Sequence, residues 1–271
     1  MRRFLGFLHW QGSLVQDPIE GAFMDSPSYI LLSRLSLQDR STQALAHNIA
    51  NADTPGFRAM RPVFGQVMVN LRGAGGLPGD SSMSFPQDRA TWRDMSQGPL
   101  QTTGNKLDVA IDGEGFFVLE TPQGERYTRA GRFSIGANGR LVDQEGNAVL
   151  NNRNRPIAFS AQDTQIEITK SGVIQSENGE IGRLKLVRFD NPQNLMAEGN
   201  RLFDAKNEAP VPVERPKVVQ GALEGSNISP VLEMTRLTAE MREFQYASMF
   251  TEREGERITN AVERIMRRRS S

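Results

Sequence analysis

The stretch "NIANADTPGFR", residues 48–58, decides how this chain is divided. It follows a run with helical spacing and ends in Thr54-Pro55-Gly56, just before an aromatic residue and a cation. Pro55 has no backbone N–H to donate, and Gly56 readily takes the positive φ with which many helices end. A helix is therefore expected to stop here and the chain to turn away. Upstream, Leu31, Leu35, Gln38, Thr42, Leu45, Ile49 and Ala52 recur at alternating spacings of four and three, the seam of a packed helix. The seam is apolar at both ends and polar in its middle.

The other end of the chain repeats the pattern. Met234, Leu237, Met241, Phe244, Ser248, Thr251, Gly255, Ile258, Val262 and Ile265 follow the same spacing. The predicted helix starts near Pro230, an acceptable first helical residue after the cap candidate Ser229, and ends near Arg268. At about 1.5 Å per residue it would run for more than about 50 Å, which calls for a partner. Spacing alone leaves open whether that partner is the first helix of the same chain or the helices of other subunits.

The middle has a different period. Short β-prone runs such as "FFVLE", "RYTRAGRFSI", "QIEIT" and "GRLKLVRF" alternate with glycine turns at Asn138-Gly139, Glu145-Gly146 and Asn178-Gly179. Two glycine- and proline-rich segments, "LRGAGGLPGDSSMSFPQ" and "AKNEAPVPVERP", join this part to the helices. The expected fold class is α+β: long N- and C-terminal helices forming a coiled-coil-like stem, with an inserted β-rich domain. The expected segments are an N-terminal helix over 25–60, a linker over 61–106, a β-rich domain over 107–203, a linker over 204–224 and a C-terminal helix over 225–271. Residues 1–24 are expected to be an extension dispensable to the product, because Met24 offers a second start and neither seam begins before it.

Composition excludes several classes of function. The 271 residues carry 32 basic and 32 acidic side chains, so no global field favours nucleic acid as a partner. No run approaches the roughly 18 apolar residues of a membrane-spanning helix, so no direct membrane insertion is expected. The apolar patch near the N-terminus is also shorter than a signal-peptide core. Cysteine is absent, which rules out disulfides and thiolate ligands. "DGEGFF" supplies Gly113 and Gly115 of a dinucleotide loop, but Val118 stands where the third glycine belongs. His9 and His47 are the only histidines, too few for a zinc site without distant carboxylates. Asp108 and Asp112 lack the rest of a calcium loop. Arg267, Arg268 and Arg269 suit the C-terminal end of a helix dipole. No catalytic residue, cofactor or metal is expected.

Asn48, Asn51, Thr54, Gly56, Phe57 and Arg58 together resemble the Asn-x-x-Asn-x-x-Thr-x-Gly-Phe-Lys/Arg signature of the bacterial flagellar rod and hook proteins. "GPLQTTGNKLDVAIDGEGFFVL", "YTRAGRFSIGANGRLV" and "VVQGALEGSNISPVLEMTRL" look like further blocks of that family in the same order. The motif Leu223, Glu224, Gly225, Ser226 and Asn227, with "GRLKLV" at 182–187, looks most like the family's proximal-rod branch, the distal-rod branch being the alternative. The resemblance implies a structural subunit exported by the flagellar type III apparatus without a cleaved Sec signal. It would assemble helically with copies of itself and other rod subunits in the basal-body rod that spans the periplasm. The terminal helices would line the export channel and the rod would transmit torque. Leu31, Leu35, Leu45, Ile49, Phe57, Met234, Leu237, Met241, Phe244, Ile258, Val262 and Ile265 would then form the assembly interface. Gly225 would permit a bend on re-entry, and Ser226, Asn227 or Ser229 would cap the last helix.

Overall fold

A computed structural model describes residues 26–70, 82–199 and 201–269. The expected extension over 1–24 and most of the first glycine-rich segment lie outside the described residues, as does the side chain of Leu31. Helix α1 spans Ser26–Ala50 and helix α2 spans Pro230–Arg269. They run antiparallel: Asn48 meets Glu233, Gln38 and Ser41 reach Glu240, and Arg34 reaches Glu243. With 40 residues against 25, α2 continues past the described start of α1.

Between the helices the chain is built of antiparallel strands. Strand β1 (Met60–Asn70) pairs with β2 (Ser82–Arg93) from Met60↔Arg93 to Asn70↔Ser82, with a bulge at Val63/Phe64. Much of the expected linker over 61–106 is thus a two-stranded ribbon. The glycine-rich gap dominates its composition, but the flanks hold β-branched and aromatic residues, and backbone pairing across a gap does not depend on what fills it.

The expected linker over 204–224 is corrected in the same way. Val211–Pro212 pairs with Leu186–Arg188, Pro212 being tolerated because it lies on an edge. Val218–Gln220 pairs with β4 (Val109–Ile111), and Ala222–Glu224 pairs with β3 (Leu100–Thr102). The strands that enter and leave the β region are therefore hydrogen-bonded neighbours. This brings the residues after α1 next to those before α2.

The core is organised on β5 (Phe116–Thr121), which pairs with β6 (Gly124–Thr128), Ala148–Val149 and Leu186–Arg188. Side chains alternate across a strand, and both faces of β5 are buried. Phe117 and Leu119 join Val109, Ile111, Phe133 and Leu141 on one side. Phe116 and Val118 join Tyr127, Phe189 and Phe203 on the other. Edge-on ring contacts, Phe117 to Phe133 at 5.1 Å and Tyr127 to Phe189 at 4.8 Å, orient the two layers. A third, small cluster of Phe57, Ala59 and Ile228 sits where the helices join the β region.

Candidate functional site

The motif residues converge on this junction. After α1 the backbone turns through Thr54 N–H to Asn51 O and Phe57 N–H to Thr54 O. Gly56 has φ +70°, and a Cβ there would lie 2.5 Å from the backbone nitrogen of Ala130. Glycine is required twice over, by conformation and by space. Its N–H donates to the carbonyl of Glu224 at 2.8 Å, tying the exit from α1 to the strand that leads into α2.

Asparagine side chains replace strand pairing here. Asn48 donates to the carbonyl of Met60 at 2.9 Å and accepts from its N–H at 2.8 Å. Asn51 donates back to the carbonyl of His47 and accepts from the hydroxyl of Thr54. Asn227 accepts from the N–H of Ala59 at 2.8 Å and donates to the carbonyls of Asp94 and Ser96. One side chain thus joins three segments. Phe57 is fully buried between Ala59 and Ile228, with the Arg93 guanidinium 5.8 Å from its ring and the His47 ring 5.5 Å away.

Two buried carboxylates organise the charges. Glu224 accepts from Arg58 Nη2 at 2.5 Å, from Arg129 Nε at 2.8 Å and from the N–H of Gly98 at 3.0 Å. Arg129 also donates to the carbonyls of Gly113 and Gly115. Burial pulls the Arg129 pKa down, Glu224 opposes that shift, and the neighbouring Arg58 cation adds to it. Glu233, in the first turn of α2, accepts from Arg61 at 2.8 Å, Arg236 at 2.9 Å and Asn48 at 3.3 Å. An acidic side chain there also suits the positive end of the helix dipole.

One sequence expectation changes and another narrows to a single residue. Gly225 does not take a positive φ; what glycine provides there is room, since an added Cβ would lie 3.3 Å from the carbonyl oxygen of Pro99 and a Cβ on Gly98 only 2.1 Å from that of Gly225. Asn227 is engaged with Ala59, Asp94 and Ser96 as described, and Ser226 accepts from the N–H of Ile228. Ser229 holds the cap position, its carbonyl accepting from the N–H of Glu233.

The proposed seam residues divide into two groups. Leu45 is buried, while Leu35, Ile49, Leu237 and Ile258 are half-buried. Met234, Met241, Phe244, Val262 and Ile265 are exposed, Phe244 by 48% and Ile265 by 64%. Within the chain, the line of α2 that faces α1 passes through Glu233, Leu237 and Glu240, one position off the predicted seam at two of three places. The Glu224 and Glu233 clusters were not anticipated from sequence. The signal for the first was an acidic residue inside the otherwise apolar run "ALEG" and an arginine inside "YTRAG".

Among the described residues, no three or more His, Cys, Asp or Glu side chains are grouped as metal ligands would be, and no helix is long and apolar enough to cross a membrane.

Three sequence families match along the chain: "Flagella basal body rod protein" over residues 29–58, "Flagellar hook protein FlgE/F/G D1 domain" over 110–176, and "Flagellar basal body rod FlgEFG protein C-terminal" over 219–249. The chain belongs to the flagellar basal-body rod protein family. Among its relatives, the flagellar basal-body rod protein FlgF of Caulobacter vibrioides is 35% identical over 246 residues, covering 89% of this chain and 98% of the relative. FlgF of Mesorhizobium japonicum is 34% identical, covering 82% and 90%. FlgG of Agrobacterium fabrum is 32% identical, covering 81% and 91%.

Proposed function

We propose that this chain is a structural subunit of the flagellar basal-body rod, in its proximal, FlgF-like section. The observation that carries the reading is the match to the Caulobacter FlgF across 98% of that protein's length. Family membership points to a structural rather than a catalytic role.

In this reading α1 and α2 form a coiled-coil-like stem and the β region is the inserted outer domain. The stem packs against copies of itself and against neighbouring rod subunits, lines the export channel and transmits torque. The exposed large apolar side chains of α2, Met241, Phe244, Met249, Phe250, Ile265 and Met266 among them, support this. Surfaces of that kind are covered in use. The subunit would reach the periplasm-spanning rod through the flagellar type III export apparatus, without a cleaved Sec signal.

The test is a deletion strain with its basal bodies imaged by electron microscopy. Loss of motility, with rods stopping before the distal section, is expected; motile cells with complete rods would refute the reading. A distal-rod role is the second reading, favoured by the 32% identity to the Agrobacterium FlgG. It predicts that this chain rescues a strain lacking the distal subunit and not one lacking the proximal subunit. A wall-cutting hydrolase is the competing class, and clearing of peptidoglycan in a zymogram with purified protein would establish it over the structural role.

A further inference from the structure

The thioether sulfurs are unevenly placed on this molecule. Met234, Met241, Met249 and Met266 of α2 are between 45% and 66% exposed. Met60 and Met95 are half-buried, Met95 packing against the second core cluster. Residues three or four apart share a helix surface, so Met241 stands beside the exposed ring of Phe244 and Met249 beside that of Tyr246. Val262 and Met266 adjoin in the same way. The four thioethers thus belong to the apolar surface that the chain leaves uncovered.

We propose that these four methionines are an oxidation site, taken to the sulfoxide by hydrogen peroxide, and that the sulfoxide keeps α2 from being covered by another copy of the chain. The thioether sulfur attacks one peroxide oxygen. The O–O bond breaks as the S–O bond forms, and the proton on the transferred oxygen leaves with the departing hydroxide as water. Sulfur loses two electrons and the peroxide gains them.

The product is polar and chiral where a flexible apolar group stood. On the free chain its oxygen accepts hydrogen bonds from water at little cost. Sealed against an apolar partner it has no donor, and an unbonded buried polar group is costly. Once a partner covers the thioethers, peroxide no longer reaches them, so the sensitive form is the free subunit. The oxidation stands apart from the rod reading; its effect on assembly rests on that reading.

Two experiments test this. The purified full chain is treated with excess hydrogen peroxide and its peptides are followed by mass spectrometry. The four α2 methionines should reach the sulfoxide about fivefold faster than Met60 and Met95, and methionine sulfoxide reductases with a thiol reductant should restore them. Equal rates at all of these positions would overturn the site. In cells lacking the chain, the parent or a variant carrying Met234→Leu, Met241→Leu, Met249→Leu and Met266→Leu is then induced, with or without a peroxide dose that leaves growth unchanged. Leucine keeps the volume and the apolar character. Peroxide should lower the motile fraction of cells carrying the parent about tenfold relative to cells carrying the variant. Met196→Leu, which removes an exposed thioether outside α2, should give no such protection. Equal loss in parent and fourfold variant, or protection by Met196→Leu, overturns the effect on assembly. A parent chain that fails to restore motility even without peroxide refutes the rod reading and with it that effect, while the peptide rates still decide the oxidation site.

Discussion

At the junction, side chains that water ordinarily keeps, Asn48, Arg58, Glu224 and Glu233, are buried; along α2, side chains that water ordinarily expels, Phe244, Phe250, Ile265 and Met266, stand in it. The two regions are adjacent in the chain and reverse the usual distribution in opposite directions. The junction holds because almost every polar group brought inside meets a partner, and a bonded buried group avoids most of its desolvation cost. α2 stays exposed because one helix neighbour can cover only one stripe of a cylinder. The junction is closed within the chain, whereas the chain leaves the helix surface open, and in the proposed reading further subunits cover it.

The largest expected effect is at the junction's charges. Glu224→Gln leaves Arg58 and Arg129 buried with no counter-charge, and breaking a buried pair this way typically costs about 3 to 5 kcal/mol. Urea unfolding of the variant should show a loss of that order. A loss below about 1 kcal/mol, the range of an exposed pair, would mean that the cluster is solvated and the contrast with α2 is overstated.

Matched truncations sharpen the comparison. Phe57 is fully buried, and Phe57→Ala should cost about 3 to 5 kcal/mol in the isolated chain. Phe244→Ala should change stability there by less than about 0.5 kcal/mol, as at ordinary surface positions, while reducing motility and rod assembly. A fully motile Phe244→Ala strain would remove that ring from the interface. A large loss of stability in the isolated chain would show that α2 already buries it.

Amide exchange probes the same difference without mutation. Protection should be high in β5 and at the junction and low in α2 beyond about residue 251, where no described part of α1 lies opposite. It should rise on assembly. Strong protection of that segment in the monomer would mean that it has a partner within the chain.

The smallest effect concerns a surface loop. Glu177 accepts from the N–H and hydroxyl of Thr164 and from the N–H of Gln165. These bonds, the Thr164 hydroxyl first, lower its pKa from 4.5 to about 2. Because the folded value is depressed, the contribution is present above the unfolded value and is lost as pH falls from about 4.5 through about 2. Glu177→Gln should flatten the acid dependence of stability slightly in that window. Identical acid titrations of variant and parent would show that the loop bonds do not persist in solution.

What could be read in advance follows from the range of the forces involved. The 3.6-residue spacing and the Ser229-Pro230 start marked α2, and the β-prone run "FFVLE" marked a strand, because both signals are local. Thr54-Pro55-Gly56 marked the exit from α1 for the same reason. The β1–β2 ribbon was missed because a glycine-rich gap separates its halves. The role of Gly225 was misjudged because its constraint comes from Pro99 and Gly98 rather than from its own φ.

Local backbone preference and side-chain periodicity thus determined, from the sequence alone, the two helices, the turn that ends the first and the β-rich character of the middle, and with which family the chain shares its motifs. The tertiary structure alone decided which charges meet. Arg58 and Glu224 are 166 positions apart, and Asn48 and Glu233 are 185 apart. No local pattern selects one carboxylate among many at such separations; the pairing exists because strand β3 and its partner Ala222–Glu224 bring the two ends of the β region together. Once both ends are held there, desolvation makes each unpaired charge costly and the available partners specific.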